Sequence, residues 1–511
     1  MRWKMKKTAV YLMVTAIFIK MLGFGRDMTL SYFYGASNLS DAYLISITIP
    51  TVIFAFVGTG IATSYIPMYN TAEKEKGTAA ADAFTNTIVN FVLLVATVTV
   101  IAVFFFAEPI VRLIASGFDS GTLSLAVRFT RFSILSVYFY GLVYIFNGYL
   151  QVKNNFVIPA LIGLPLDLLV IFSIFLSTRT NVYVLALGTV IAVAFEVLLL
   201  LPFVHHKGFR YHLQFDLKNP YLKRIIYLSI PVIIGVSVNE INVLVDRTIA
   251  SQIAVGGITA LTYANRLNLF IKGIFITSVA TVIYPMISKM AAQSNMNGLK
   301  RTVSGAVNSI SLLVLPASVG AMVFATPVVS LLFGRGAFDE RAVEMTAAAL
   351  FFYSIGMVGV GYREILSRAF YSLQDTKTPM INAAIGMVLN IILNLILSRY
   401  IGIAGLALAT SISALFTALL LFVSLRKKIG SFGVREMSFS FLKVGFASLL
   451  MGALARLSFV YLTGTFGQNL SLFLSIAFGA LSYLIIIYFM KIKDFDLIVI
   501  AVKRKLGMTS I

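Results

Sequence analysis

Apolar runs of twenty to thirty residues recur along almost the whole chain, parted by short polar connections. Fourteen such runs predict spans at 8–34, 41–69, 84–107, 128–150, 157–177, 182–204, 225–253, 261–288, 303–325, 342–371, 379–397, 402–425, 439–462 and 470–490. A helix crosses the ~30 Å hydrocarbon layer in about 20 residues. Inside lipid each backbone N–H and C=O must be bonded within its own segment or in a closed barrel, so runs of this length predict helices. The pattern is that of an all-α integral membrane protein with fourteen transmembrane helices, and no connection is long enough for a soluble domain.

The pattern also repeats. The second predicted span carries SYIPMYN and the eighth VIYPMISK, placing Pro67 and Pro285 218 positions apart. NGYLQVKNNFVIPALIG leads into the fifth span and RAFYSLQDTKTPMINAAIG into the eleventh, placing Pro159 and Pro379 220 apart. Two matches at nearly one offset make six spans the unit, and an even unit predicts parallel repeats about an axis near the membrane normal. The expected division is an N-lobe over 1–204 with six spans and a cytoplasmic linker loop over 205–224. A C-lobe of six spans comes next over 225–425, and 426–511 holds two extra spans and a cytoplasmic tail. Two coupled lobes that rock around a central site make a transporter architecture.

Composition changes this picture only by excluding alternatives. The 511 residues are 59% hydrophobic and 12% charged, with mean hydropathy +0.92, which no soluble domain matches. A net charge of +21 would suggest nucleic acid in a soluble protein. Here the positive residues gather at helix ends and short loops, where they orient the chain and meet anionic membrane lipids. Alternate connections, with the amino terminus and the tail, hold about 25 Lys and Arg against about five on the other side, which predicts cytoplasmic termini. The first run comes after MRWKMKK but contains Lys20 and leads into further spans, so it is read as a retained helix. No cysteine is present, which removes disulfides and thiol chemistry. His205, His206 and His212 share one polar connection in no metal-binding pattern, and the expectation there is a solvated basic loop.

The candidate chemistry lies in charges at membrane depth. Lys20, Arg26, Asp27 and Asp41 fall in the first two predicted spans, and Arg247, Arg266 and Lys272 in the seventh and eighth. Arg128, Arg131, Arg363, Arg368, Lys443 and Arg456 complete the cations; Asp167, Glu196, Glu240, Asp246 and Glu364 complete the acids. A charge at the bilayer centre costs about 2.5–3.5 kcal/mol on insertion scales, so it faces a bundle interior or a watery cavity. One plain reading is structural ion pairing, of Arg26 with Asp27 or Asp41. The number of cations in corresponding places of the two halves favours a cationic central cavity for an anion, and phosphate is the anion that Arg forks and Lys bind best. Gly23 and Gly25 flank Phe24 just before Arg26 and suit either a bend or close helix packing.

KMLGFGRD at 20–27, SDAY at 40–43, YANRL at 263–267 and FYSLQDTKTP at 370–379 resemble the MurJ/MviN family, lipid II flippases of the multidrug/oligosaccharidyl-lipid/polysaccharide exporter superfamily. The resemblance covers essentially the whole chain. It implies outward flipping of lipid II, the undecaprenyl-pyrophosphate disaccharide-pentapeptide of peptidoglycan synthesis, across the bacterial cytoplasmic membrane, and with it a role in cell-wall biogenesis and cell shape. Other cell-wall synthesis proteins are implied as partners. Arg26, Asp27, Asp41 and Arg266 match cavity positions of the family, Lys20 stands where the family often has Arg, and Arg247 and Lys272 join them on charge and placement. Departures are the uncharged IPTVIFAFVGTG at 49–60, where some members carry arginines and a glutamate, Asn265 for an expected Asp, and Leu269 for Glu. They leave open a flippase for another undecaprenyl-linked glycan, or a drug exporter of the superfamily. Asp246, Asn390, Asn394 and Thr410 resemble positions that bind sodium in some relatives. There is no GxxxxGK[ST] motif for ATP, and the outer connections offer only Glu108, Asp119, Asp339 and Glu340 as carboxylates, so an enzyme is disfavoured and no organic cofactor is expected.

Overall fold

In a computed structural model, described for residues 2–213, 216 and 219–490 and for side chains of the first helix from Thr15 onward, every regular element is a helix. In chain order they are α1 (Arg2–Tyr34), α2 (Asn38–Lys76), α3 (Thr78–Phe105), α4 (Ala107–Ile114), α5 (Ser120–Ser133), α6 (Ser136–Val152), α7 (Val157–Leu161), α8 (Gly163–Arg179), α9 (Tyr183–His206) and α10 (Pro220–Ile253). Next come α11 (Gly257–Ala292), α12 (Met296–Val323), α13 (Ala325–Leu332), α14 (Glu340–Ile355), α15 (Met357–Ser372), α16 (Lys377–Ile401), α17 (Ile403–Ile429), α18 (Val434–Phe466) and α19 (Gln468–Phe489). Among the described residues, ten helices are long and apolar enough to cross a membrane, with α7 and α8 taken as one. The number rises to thirteen if α5 with α6, the two halves of α10, and α14 with α15 each make one bent crossing. Helix α1 stands outside that count. Side chains such as Val98, Phe172 and Ile191 point outward, as lipid-facing positions require.

Two compact units divide the chain. The first takes in residues up to Thr259 together with Arg335–Asp339; the second takes Ala260–Gly334 and the described chain from Glu340 on. Helix α10, which comes after the polar connection, belongs to the first unit. That unit is centred on Tyr65, Tyr69, Phe84, Tyr149 and Phe209. In the second unit α12 is the common partner: Ile310 and Val314 pack with Ile276 and Ile365, while Leu312 meets Val444 and Tyr483. The hydroxyl of Tyr483 donates to the carbonyl of Leu312 at 2.7 Å, tying α19 to α12.

The sequence offset returns as local geometry. α6 ends in a turn with Asn154 at φ +59°, and α15 ends with Gln374 at φ +59°, 220 positions later. In both turns the next residue closes onto the carbonyl five before it, Asn155 N–H to Leu150 at 2.8 Å and Asp375 N–H to Phe370 at 2.9 Å. In both, the Asn155 or Asp375 side chain then accepts from the N–H three residues on, opening the next helix. The α5–α6 break bends by 41° and the α14–α15 break by 43°. Even the short helices α4 and α13 start after phenylalanines 218 apart, Phe106 and Phe324.

The polar connection differs from the expectation of a solvated loop. Its imidazoles are exposed, but its backbone is docked on the first unit. Asn86 of α3 donates to the carbonyl of Arg210 at 3.1 Å and accepts from the N–H of His212 at 3.0 Å, and Asn90 accepts from the hydroxyl of Tyr211 at 2.6 Å. Phe209 is buried between Phe146 and Tyr149. Two asparagines on one face of α3 satisfy backbone groups of Arg210 and His212, which no helix or sheet pairs.

Asp375, in the turn between α15 and α16, gives a test of these helix ends. Lys428 of α17 donates to its carboxylate at 2.5 Å, and Thr378 bonds it through both N–H and hydroxyl. The lysine first, then the Thr378 N–H, lowers its pKa from 3.8 to about 2. A depressed carboxylate contributes stability above its ordinary pKa and loses it as pH falls through the folded value. Asp375→Ala is expected to cost about 1 kcal/mol at neutral pH. The difference in thermal unfolding between it and wild type in detergent should shrink as pH drops from about 4 toward about 2.

Candidate functional site

Helix α1 runs unbroken through Gly23 and Gly25. Gly23 faces α8, where a Cβ would lie in ordinary contact, 3.6 Å from a carboxylate oxygen of Asp167, whereas Gly25 faces open space. Arg26, three residues on, reaches two acids. Its Nε and Nη2 donate to Asp27 Oδ1 at 3.2 and 3.1 Å, and its Nη1 donates to Asp167 Oδ1 at 2.9 Å. Asp27 and Asp167 are 7% and 5% exposed. One guanidinium thus sits between two buried carboxylates, so with all three ionised the group carries one net negative charge. Glu196 of α9, also buried, lies close enough to Asp167 for their charges to repel.

Asp41 is not part of this group. It is 1% exposed, and its Oδ2 accepts from the N–H of Gly256 at 2.9 Å. Its Oδ1 accepts from the N–H and hydroxyl of Thr259 at 2.8 and 2.6 Å. Gly257 begins α11, so a carboxylate from α2 satisfies the free N–H groups at the start of another helix and complements its dipole. Gly256 has φ +77°, and a Cβ there would overlap the carbonyl of Ala36, so glycine is required for this closure. Arg247 of α10 donates to the carbonyl of Leu44 on α2 at 3.3 Å. Lys20 is exposed on α1.

In the second unit, Arg266 is exposed and Lys272 half-buried, both on α11. Arg363 of α15 is near enough to Lys272 for the two cations to repel. On the same helix Arg368 is clamped: Nη2 meets Glu364 Oε1 at 2.7 Å and Nη1 donates to the carbonyl of Ala280 at 2.9 Å. The surplus of positive charge is therefore uneven. At membrane depth the first unit sets Lys20, Arg26, Arg128, Arg131 and Arg247 against Asp27, Asp41, Asp167, Glu196, Glu240 and Asp246. The second sets Arg266, Lys272, Arg363, Arg368, Lys443 and Arg456 against Glu364. Asp167, Glu196 and Arg363 were visible as intramembrane charges; their neighbours were not.

Asp246 belongs to the first unit and the rest of the candidate sodium set to the second. There Asn394 donates to Asn390 Oδ1 at 2.9 Å and Asn390 to Thr410 Oγ1 at 3.3 Å, joining α16 to α17. Among the described residues no three His, Cys, Asp or Glu side chains gather in a metal-holding group.

Residues 30–477 match the family model described as Lipid II flippase MurJ. The chain belongs to the MurJ family. It is 28% identical over 423 residues to the lipid II flippase MurJ of Burkholderia cenocepacia, covering 80% of this chain and 81% of that one. A solved lipid II flippase MurJ in an inward closed conformation superposes with TM-score 0.82 at 28% identity, covering 96% of this chain and all of that one. An inward-facing multidrug resistance MATE transporter of the MOP superfamily, 16% identical with TM-score 0.68 over 81% of this chain, shares the fold. MurJ members are named as flippases, which makes this a multi-pass membrane protein of a transporter family.

The capping role assigned to Asp41 predicts a stability effect apart from transport. Asp41→Ala leaves buried N–H groups without acceptor and is expected to destabilise by roughly 1–3 kcal/mol for each. Asp41→Asn, which keeps an acceptor oxygen, should lose clearly less. Thermal unfolding in detergent measures both; equal melting of Asp41→Ala and wild type would remove the cap.

Proposed function

We propose that this chain flips lipid II, the undecaprenyl-diphosphate disaccharide-pentapeptide, from the inner to the outer leaflet of the bacterial cytoplasmic membrane. The match to the MurJ family model over 30–477 carries the reading. Arginine and lysine at membrane depth support it, because a diphosphate crossing lipid needs cations in place of water. Arg26 and Arg266 grip the diphosphate, with Lys20, Arg247 and Lys272 supplying further positive field. Asp27 orients Arg26, and Asp41 fixes the start of α11. Helix α1 is the fourteenth crossing, and both termini are cytoplasmic, as the bias of about 25 Lys and Arg to about five supports. The sequence repeat supports an alternating-access cycle of two six-helix lobes, 1–204 and 225–425, with 205–224 as linker and 426–511 as an appended pair of helices and tail.

The polyanionic headgroup moves outward down the membrane potential, which is worth about 2.3 kcal/mol per charge per 100 mV. Flipping by the reconstituted protein should slow when the potential is collapsed and change less when sodium is exchanged at constant potential. A potential-independent reaction that stops without sodium would put Asp246, Asn390, Asn394 and Thr410 in charge of coupling. Arg26→Ala and Arg266→Ala should fold and fail to flip, while Arg→Lys, lacking the bidentate fork, should be partly active. Depletion of the protein should accumulate lipid II on the cytoplasmic leaflet; accumulation of another lipid-linked glycan instead would overturn the substrate.

A further inference from the structure

Where α1 gives way to α2, and α10 to α11, positions related by the sequence repeat touch one another. Gly256 packs on Ala36, 220 positions before it, and Asp41 bonds Thr259, 218 after it. In a two-fold arrangement a residue meets its own mate only at the axis. These contacts therefore lie where the repeat axis leaves the protein. In the proposed orientation, with both termini cytoplasmic, that is the outer end. All of them fall in the first unit, and residues 335–339 fall there with them.

Two loops flank this end and are repeat mates of each other. One carries GFD at 117–119 between α4 and α5, the other AFD at 337–339 between α13 and α14, with Phe118 and Phe338 220 positions apart. Each loop is seated on the end of the other half's first helix. The N–H of Gly117 donates to Ser251 Oγ of α10 at 3.1 Å, and Gln252 Nε2 donates to Ser116 Oγ at 2.7 Å. The N–H of Ala337 donates to the carbonyl of Tyr32 on α1 at 2.9 Å. Tyr32 and Ser251 are 219 positions apart, so the second seat is the first one returned across the axis. Both are too close for a side chain. A Cβ on Gly117 would overlap the carbonyl of Ser251, and one on Gly336 the carbonyl of Tyr32. A loop that served only to join α13 to α14 would keep their company; 335–339 falls with the first unit, while both helices fall with the second.

We infer, on the reading that the chain flips its lipid by alternating access, that the loops 115–119 and 335–339 are paired latches of the outer gate. Each grips the first helix of the opposite half, and both must lift before the outer side opens. The chemistry of the seats suits release. Tyr32 lies in the last turn of α1, where no further helical N–H remains to take its carbonyl. Tyr32, Ser116, Gln252 and Ala337 are exposed, so water takes over each bond when a loop lifts. Asp41 and Thr259, which are buried, close the seam on the axis, and the loops hold it shut from either flank.

The chain has no cysteine, so thiols can be placed at will. Ser116→Cys with Gln252→Cys allows the first latch to be bridged by a reducible thiol-reactive linker, and Tyr32→Cys with Ala337→Cys the second. In each background Thr259→Cys, buried beside Asp41, reports opening to a membrane-impermeant maleimide added on the outer side. The full-length protein is studied in lipid vesicles supplied with lipid II, each bridge being closed before the lipid is added. Either bridge alone should abolish both flipping and labelling, and reduction should restore them. Gly336→Ala, which adds the overlapping Cβ, should be labelled several-fold faster than its parent without lipid II. Full bridging of either latch that leaves labelling during turnover unchanged overturns the paired latches and leaves the alternating-access reading intact; so does equal labelling of Gly336→Ala and its parent. Unbridged protein that flips lipid II while Thr259→Cys is never labelled overturns alternating access, and the latches with it.

Discussion

In hydrocarbon no water waits to satisfy a polar group, so each charge and each backbone N–H must find its partner in the protein. That constraint organises the first unit. Asp41 is spent on the open end of α11, Asn86 and Asn90 on the backbone of the docked loop, and Asp27 and Asp167 on Arg26. A glycine appears where the chain must come close, at Gly256 beside Ala36. The polar residues at membrane depth are thus tied first to architecture. Transport chemistry has to work through groups that already have structural duties.

The recurrence of turn geometry at 218–220 positions shows what a repeat preserves. Asn154 and Gln374 differ in side chain, as do Asn155 and Asp375, yet both turns close with the same left-handed residue and the same five-residue bond. A helix end must dispose of its last carbonyls and turn the chain within a few residues, and few backbone paths do so. The sequence around such a turn drifts; the path does not. Charge is under no such restraint, and it is charge that differs most between the halves.

The helices, their approximate limits and the family motifs were legible because apolar run length and short spacings are properties of neighbouring residues. Partners distant in sequence were not. Arg26 and Asp27 are adjacent, and their pairing could be weighed from the chain alone, but Asp167 lies 141 positions away and joined them only through the packing of α1 on α8. Asp41 read as a cavity charge because nothing local reveals that Gly256 and Thr259 come to meet it. The loop after α9 read as solvated because its side chains are polar; the asparagines that dock it sit in α3, inside a run whose apolarity hides them. The glycines before Arg26 suited a bend or a close contact; α1 continues through both, with α8 beside Gly23 and open space beside Gly25.

An uneven charge distribution gives the same substitution different meanings in the two units. In the second unit Lys272 and Arg363 are two cations near one another, with Glu364 beside Arg363 and paired to Arg368, so an arriving anion meets more positive than negative charge. In the first, an anion meets a cation that is already held. Removing an arginine from the second unit subtracts attraction. Removing Arg26 also takes a charge-assisted hydrogen-bond partner from the buried carboxylates of Asp27 and Asp167. Loss of transport in an Arg26 variant therefore mixes lost attraction with added repulsion. The two separate only when an acid is changed with the arginine: if Arg26→Ala with Asp167→Asn transports better than Arg26→Ala alone, the charge of the Asp167 carboxylate, and not the missing guanidinium, accounts for that part of the defect.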